Sequence, residues 1–146
     1  MQTRQVKEIA VSNPILINPD ATLQEAAMKM KDMNCGFLPV GNGGEPEGII
    51  TDRDIVIRAI SEGKNPVKEK VRDYMTPEVC SCSETDSLED AANAMRENQV
   101  SRLVVKDEDG NVCGVLSFGH IIRSNDNSEE IMTVVSCATG KDMAAA

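Results

Sequence analysis

Aromatic side chains are almost missing from this chain. Its 146 residues include Phe37, Tyr74 and Phe118 and no tryptophan. That scarcity largely excludes the stacking platforms that hold single-stranded nucleic acids, and it leaves Ile, Val, Leu, Met and Ala to build the core. Positive charge is also short: 15 Lys and Arg stand against 24 Asp and Glu, a net charge of −9. The balance argues against nucleic acid or an anionic membrane as the main partner, although a local basic spot still suits an anionic ligand. No apolar run approaches membrane-spanning length, and Met1-Gln-Thr-Arg-Gln-Val-Lys-Glu is too polar for a signal peptide.

Metal and nucleophile patterns are missing as well. The five cysteines are odd in number and lack framework spacing, which fits a reducing compartment, so a cytoplasmic location is expected. Cys80-x-Cys82 puts two thiols on one face of a strand, but no C-x2-C pair supplies zinc-ligand spacing. Cys35, Cys113 and Cys137 read with them as small core residues, and no metal site is assigned. No elbow or orienting motif accompanies His120, the single histidine, so no catalytic residue is assigned and the chain is not expected to be an enzyme.

What the chain does have is a duplication. Thr22-Leu-Gln-Glu-Ala-Ala-Met-Lys-Met through Phe37-Leu-Pro-Val40 returns as Ser87-Leu-Glu-Asp-Ala-Ala-Asn-Ala-Met through Arg102-Leu-Val-Val105, at a constant offset of 65. Thr22-x-x-Glu25 and Ser87-x-x-Asp90 are capping boxes. Leu23, Ala26, Ala27, Met30 and Met33 follow at helical spacing, as do Leu88, Ala91, Ala92 and Met95. Asn34 or Gly36 should end the first helix. Strands are expected at Phe37–Val40, 48–51, 103–105 and 112–117, with helices over 52–60, closed by Gly63, and 118–124. Ile15-Leu-Ile17 and Val79-Cys-Ser-Cys82 are candidate leading strands, and 131–137 a tail helix or strand.

The predicted fold class is α/β (α+β), with two β-α-β-β-α repeats packed about a pseudo-twofold. The expected boundaries are 6–65 and 75–125 for the repeats, 66–74 for a connector and 126–146 for a partly mobile tail. A unit of about 65 residues is marginal alone, so the two should fold together.

Chemistry concentrates in Gly48-Ile-Ile-Thr51-Asp52-Arg53-Asp54. A strand runs directly into a helix start, where the Thr51 hydroxyl and free amides suit phosphate. Asp54, one turn in, can accept both hydrogens of a ribose diol. The same Thr-x-x-Asp is also an ordinary capping box, and both readings stand at this point.

With Ala21-Thr-Leu-Gln-Glu-Ala-Ala, Leu38-Pro-Val, Asp73-Tyr-Met-Thr-Pro, Ser87-Leu-Glu-Asp-Ala, Leu103-Val-Val and Gly114-Val-Leu-Ser in order, the chain resembles a tandem cystathionine-β-synthase (CBS) domain pair, or Bateman module, over residues 6–125. It looks like the small bacterial proteins made of such a pair and little else. The resemblance implies two clefts for adenosine-containing ligands: AMP, ADP, ATP, NAD or S-adenosylmethionine. It implies no obligatory cofactor, only an adenine nucleotide as regulatory ligand. The first cleft would use Ile49, Thr51 and Asp54, with Val79, Cys80, Val100 and Ser101 as the base wall. The second departs from the pattern, since His120 stands at the aspartate position. There Arg102, Ser117 and His120 would hold an anion, with Ser12 to Leu16 and Cys35 opposite. Arg102 lies twelve residues before Gly114, as Gly36 lies before Gly48. The implied partners are a second copy of the chain, as a homodimer, and a separate effector protein. The alternative is a constitutive interaction scaffold with vestigial clefts.

Overall fold

The computed structural model describes residues 2–12, 16–43 and 45–141. They form two compact units, one drawn from 16–79 and the other from 2–12 together with 80–141.

In the first unit, α1 (Leu23–Met33) starts where the sequence places it. The Thr22 hydroxyl accepts the Glu25 amide and the Glu25 carboxylate accepts the Thr22 amide. Asn34 closes the helix in the left-handed region at φ 51°. The chain then forms the hairpin β2 (Phe37–Val40) and β3 (Gly48–Thr51), antiparallel with Phe37 opposite Thr51. From β3 it enters a composite helical segment: an α turn, α2 (Asp52–Asp54), a π turn over Ile55–Ala59 and a 3-10 turn over Ile60–Glu62, closed by Gly63. Leu23, Ala26, Leu38, Val40, Ile50 and Ala59 are buried in one core. A fully buried Leu or Ile stabilises by about 1.5–3 kcal/mol relative to exposure.

The second unit repeats this plan. Ser87 caps α3 (Leu88–Asn98) with Asp90, and Gln99 closes it at φ 55°. β5 (Arg102–Lys106) pairs antiparallel with β6 (Val112–Ser117), which runs into α4 (Phe118–Arg123). The hairpin carries a bulge beside Val105 and Lys106 that leaves Cys113 without an opposite residue. β4 (Ser81–Ser83) lies parallel to β5, and β1 (Val11–Ser12) pairs with the other edge of β6. The tail reading at 131–137 becomes a longer helix, α5 (Ser128–Thr139), packed on α3 with Val134 buried.

The segment that leads into each repeat completes the other one. The Leu88 amide donates to the Arg4 carbonyl and the Val6 amide to the Asp86 carbonyl. In the first unit the Leu23 amide donates to Glu69 and the Val71 amide to Ala21, with the same offset of 65. Val6 and Val71 are both fully buried. The compact units are therefore divided differently from the repeats expected from sequence. Residues 6–12 pack with 80–141, and the expected connector packs into the first unit through the 3-10 turn Val71–Asp73. The physical reason is the unsatisfied backbone at each helix start, which one of these segments covers in each unit.

Two glycines mark where the exchanged backbone crosses. A Cβ on Gly48 would stand 2.5 Å from the Thr76 carbonyl oxygen, and one on Gly114 would stand 3.0 Å from that of Val11. Thr76 bridges Ile49 as Val11 pairs with Val115. The leading strands are shorter than expected: Ile17 makes a single parallel bridge to Val40, and Ile15 lies outside the described residues.

Candidate functional site

β3 carries Thr51 to the end of the sheet with extended backbone, φ −117° and ψ 161°. Its hydroxyl oxygen accepts the Asp54 amide at 3.0 Å, and Asp54 Oδ2 accepts the Thr51 amide at 3.0 Å. The capping box therefore exists, yet it does not exhaust either side chain. The Thr51 O–H remains a donor and Asp54 Oδ1 remains an acceptor, with no bond from either to a described residue. Both side chains are half-buried. Ile49, two residues earlier and on the same face of the strand as Thr51, exchanges backbone hydrogen bonds with Thr76 at 2.8 and 2.9 Å. Arg58 donates to the Tyr74 carbonyl, tying the helical segment to the exchanged one. Arg53 is exposed; its amide donates to Asp52 Oδ1 at 2.8 Å, and its guanidinium makes no hydrogen bond or ion pair with a described residue.

Ser117 occupies the corresponding place in the second unit, φ −121° and ψ 152°, and its hydroxyl accepts the His120 amide at 3.0 Å. The return bond is missing because imidazole turns elsewhere. His120 Nε2 lies 2.9 Å from the Ile9 carbonyl oxygen and Nδ1 lies 3.3 Å from Ser124 Oγ. A carbonyl only accepts, so Nε2 is assigned the proton, and Nδ1 accepts from the serine hydroxyl when the ring is neutral. His120 anchors the N-terminal segment, and both ring nitrogens are committed to protein.

Arg102 stands directly opposite Ser117 in the β5–β6 register, as Phe37 stands opposite Thr51. Counting back from the glycines pairs Arg102 with Gly36, but the register pairs it with Phe37. The one-residue difference lies in the bulged hairpin. The Gly36 carbonyl accepts the Asp52 amide as the Ser101 carbonyl accepts that of Phe118, both at 2.9 Å, making Ser101 the true counterpart of Gly36.

The remaining expected wall residues are distributed over the two units. Leu16 and Cys35 belong with Ile49, Thr51 and Asp54, and Val79 closes that unit. Cys80, Val100 and Ser101 belong with Arg102, Ser117 and His120. Residues 13–15 of the proposed opposite wall lie outside the described residues. The Cys35 thiol donates to the Phe37 carbonyl at 3.3 Å. Burial pushes the Cys82 thiol up to about 12. Burial, and then the Glu84 carboxylate that accepts the thiol hydrogen at 3.4 Å, push Cys113 up to about 11. These are protonated thiols at neutral pH, poor as nucleophiles or metal ligands. Among the described residues no three His, Cys, Asp or Glu side chains converge on a metal position. None of their helices is long and apolar enough to cross a membrane.

Sequence reasoning missed Arg123. A Cβ on Gly119 would stand 2.7 Å from its Nη1, so the guanidinium lies over that glycine beside the Ser117–His120 turn. The substitution of Gly119 for Arg53 and of Arg123 for Ile57, read between the repeats, is the signal that could have found it.

The family model described as CBS domain matches residues 6–60 and again 71–126, each match beginning at one of the paired valines. The CBS domain-containing protein YhcV of Bacillus subtilis (strain 168) is 33% identical over 134 residues, covering 90% of this chain and 94% of that one. Among solved structures, the CBS domain pair of protein MJ0100 in complex with 5-methylthioadenosine and S-adenosyl-L-methionine is similar at TM-score 0.73 and 27% identity, covering 85% of this chain and 96% of that one. CBSX2 in complex with AMP, a CBS-pair protein of Arabidopsis thaliana, is similar at TM-score 0.65 and 25% identity, covering 82% and 94%.

Proposed function

The chain belongs to the CBS domain family, carrying that domain twice, and on this premise we propose that it is a cytoplasmic, non-catalytic regulatory module that binds an adenosine-containing ligand. The ligand class is AMP, ADP, ATP, NAD or S-adenosylmethionine. The observation that carries the reading is the Thr51–Asp54 turn, half-buried and with a donor and an acceptor left over from its own cap. Asp54 Oδ1 is suited to a ribose hydroxyl and the Thr51 O–H to a phosphate oxygen. Solved relatives of similar extent carry AMP or S-adenosylmethionine, which supports the ligand class.

Signalling follows from differential affinity: a ligand that binds one arrangement of the two repeats more tightly shifts the population toward it, and a partner protein reads that arrangement. Val56, Ile57 and Ile60 lie on one exposed face of the helical segment, each about half accessible (54%, 50% and 49%). That face suits a second copy of the chain, as a homodimer. The second reading, a constitutive scaffold, is favoured by one observation: the aspartate position of the second repeat holds His120, which is bound to the N-terminal segment. Mass spectrometry of small molecules that co-purify with the native protein separates the two. The module should carry an adenosine derivative in stoichiometric amount, whereas a scaffold should carry none and should show no thermal stabilisation by added ligand.

A further inference from the structure

We propose that Asn42, at the tip of the β2–β3 hairpin, is a site of spontaneous deamidation through a succinimide, with water as the co-reactant and aspartate or isoaspartate as the product. The chemistry needs a carboxamide followed by a backbone N–H that is free to attack it. Glycine obstructs that attack least, having no Cβ. Asn42-Gly43 is the one Asn-Gly pair in the sequence. Both residues are exposed, and neither makes a hydrogen bond with a described residue. The backbone is tied just outside them: the Gly41 amide donates to the Ile17 carbonyl at 3.0 Å and the Glu47 amide to that of Val40 at 2.7 Å. Gly43 stands at φ 104°, and a Cβ built on it would meet nothing within 4 Å.

The other asparagines are protected, each for its own reason. Asn13, Asn18 and Asn65 precede prolines, which have no N–H. The Cys35 amide after Asn34 donates to the Met30 carbonyl at 3.0 Å. Asn93 and Asn98 lie within α3, and the Gln99 amide after the second donates to Arg96. Asn111 is followed by the β-branched Val112 at the start of β6. Asn125 and Asn127 commit their carboxamides to Glu130, the first through Nδ2 to the carboxylate at 2.7 Å and the second through Oδ1 to the amide at 3.1 Å. The second hairpin supplies an internal control. Asp109-Gly110 also has its glycine at positive φ, 81°, but the Gly110 amide donates to the Asp107 carbonyl at 3.0 Å and the Asp109 amide to Asp107 Oδ1 at 2.9 Å. Its attacking nitrogen is engaged where that of Gly43 is not.

The step balances without oxidant or reductant. Base takes the Gly43 N–H proton, the nitrogen bonds to Asn42 Cγ, and the Cγ–Nδ2 bond breaks to release ammonia. Water then opens the ring at either carbonyl. The product adds one negative charge to a chain already at −9. Asn42 lies beyond the Val40–Gly48 end of the hairpin, whereas Thr51 lies at the other end. The inference therefore does not rest on the proposed function.

The test is incubation of the full chain, folded in mildly acidic and mildly alkaline buffer and unfolded in urea, followed by anion exchange and peptide mass mapping. The folded protein should gain a more acidic form, heavier by about one mass unit, that maps to Asn42 and contains isoaspartate. Its rate should rise with pH and lie within about threefold of the rate in urea, because the tip needs no unfolding to react. Asn42→Gln should abolish the acidic form, and Gly43→Ala should slow it about tenfold or more. Asp109 should stay unchanged in the folded protein. A folded chain that keeps one mass and one charge while the urea-unfolded chain reacts at Asn42 overturns the proposal. So does first modification at another asparagine, or an acidic form that persists in Asn42→Gln.

Discussion

Val71 does for the first unit what Val6 does for the second. Each is fully buried, and each donates its amide to the residue just before a helix cap, Ala21 at 2.9 Å and Asp86 at 2.7 Å. The two valines belong to segments that precede one repeat in sequence and complete the other in space. A duplicated chain thereby satisfies both helix starts with its own backbone.

Removing either side chain should be costly. Val71→Ala and Val6→Ala each lose two methyl groups from a closed core, about 2 kcal/mol by transfer and cavity terms together. Urea denaturation should show a comparable fall in stability for both. A loss confined to Val71→Ala would mean that the N-terminal segment does not contribute as its burial indicates.

The crossing glycines predict an ordered pair. In Gly48→Ala the new methyl meets a backbone oxygen at 2.5 Å, which cannot rotate away, whereas Gly114→Ala meets one at 3.0 Å. Overpacking of this kind costs about 1–3 kcal/mol. Thermal unfolding should place Gly48→Ala below Gly114→Ala, with both below the wild type.

Glu130 gives a pH dependence. Its side chain is almost fully buried and accepts hydrogen bonds from the Arg4 guanidinium at 2.9 and 3.0 Å, the Arg4 amide at 2.9 Å and Asn125 at 2.7 Å. Burial alone pushes the carboxyl up, but these bonds together outweigh it and hold it below the usual carboxylate range. A folded value below the unfolded one means that the contribution is complete above the ordinary glutamate range and is lost as pH falls through the folded value. Glu130→Gln should therefore cost about 1–3 kcal/mol at pH 7. Denaturation at a series of pH values should show the gap between wild type and variant closing below about pH 4. A gap independent of pH would show that the charge is not what matters.

Much of this was legible in the sequence. The caps at Thr22 and Ser87, both hairpins and the Thr51 and Ser117 turns follow from local patterns that the structure repeats at the same residues. The exchange of the leading segments was not, because Val6-Lys-Glu and Val71-Arg-Asp are too short to show periodicity and their partners are remote in sequence. Arg102 was matched to Gly36 because a bulge at Cys113 shifts the count by one, and a bulge has no sequence signature here. From sequence His120 reads as a structural residue at a helix start or as a candidate anion ligand, and its bond to Ile9, which spans 111 positions, has no local signature. Arg123 was passed over because only the missing Cβ of Gly119 brings its guanidinium to the turn.

The central claim is that the Thr51–Asp54 turn binds adenosine-containing ligand, and calorimetry on wild type and Asp54→Ala tests it most directly. AMP, ADP, ATP, NAD and S-adenosylmethionine would each be titrated into folded protein. The account predicts saturable binding of at least one, weakened by about 1–3 kcal/mol in Asp54→Ala, the cost of leaving hydrogen-bonded partners unpaired. Silence from all five, or an affinity that Asp54→Ala leaves unchanged, would contradict it.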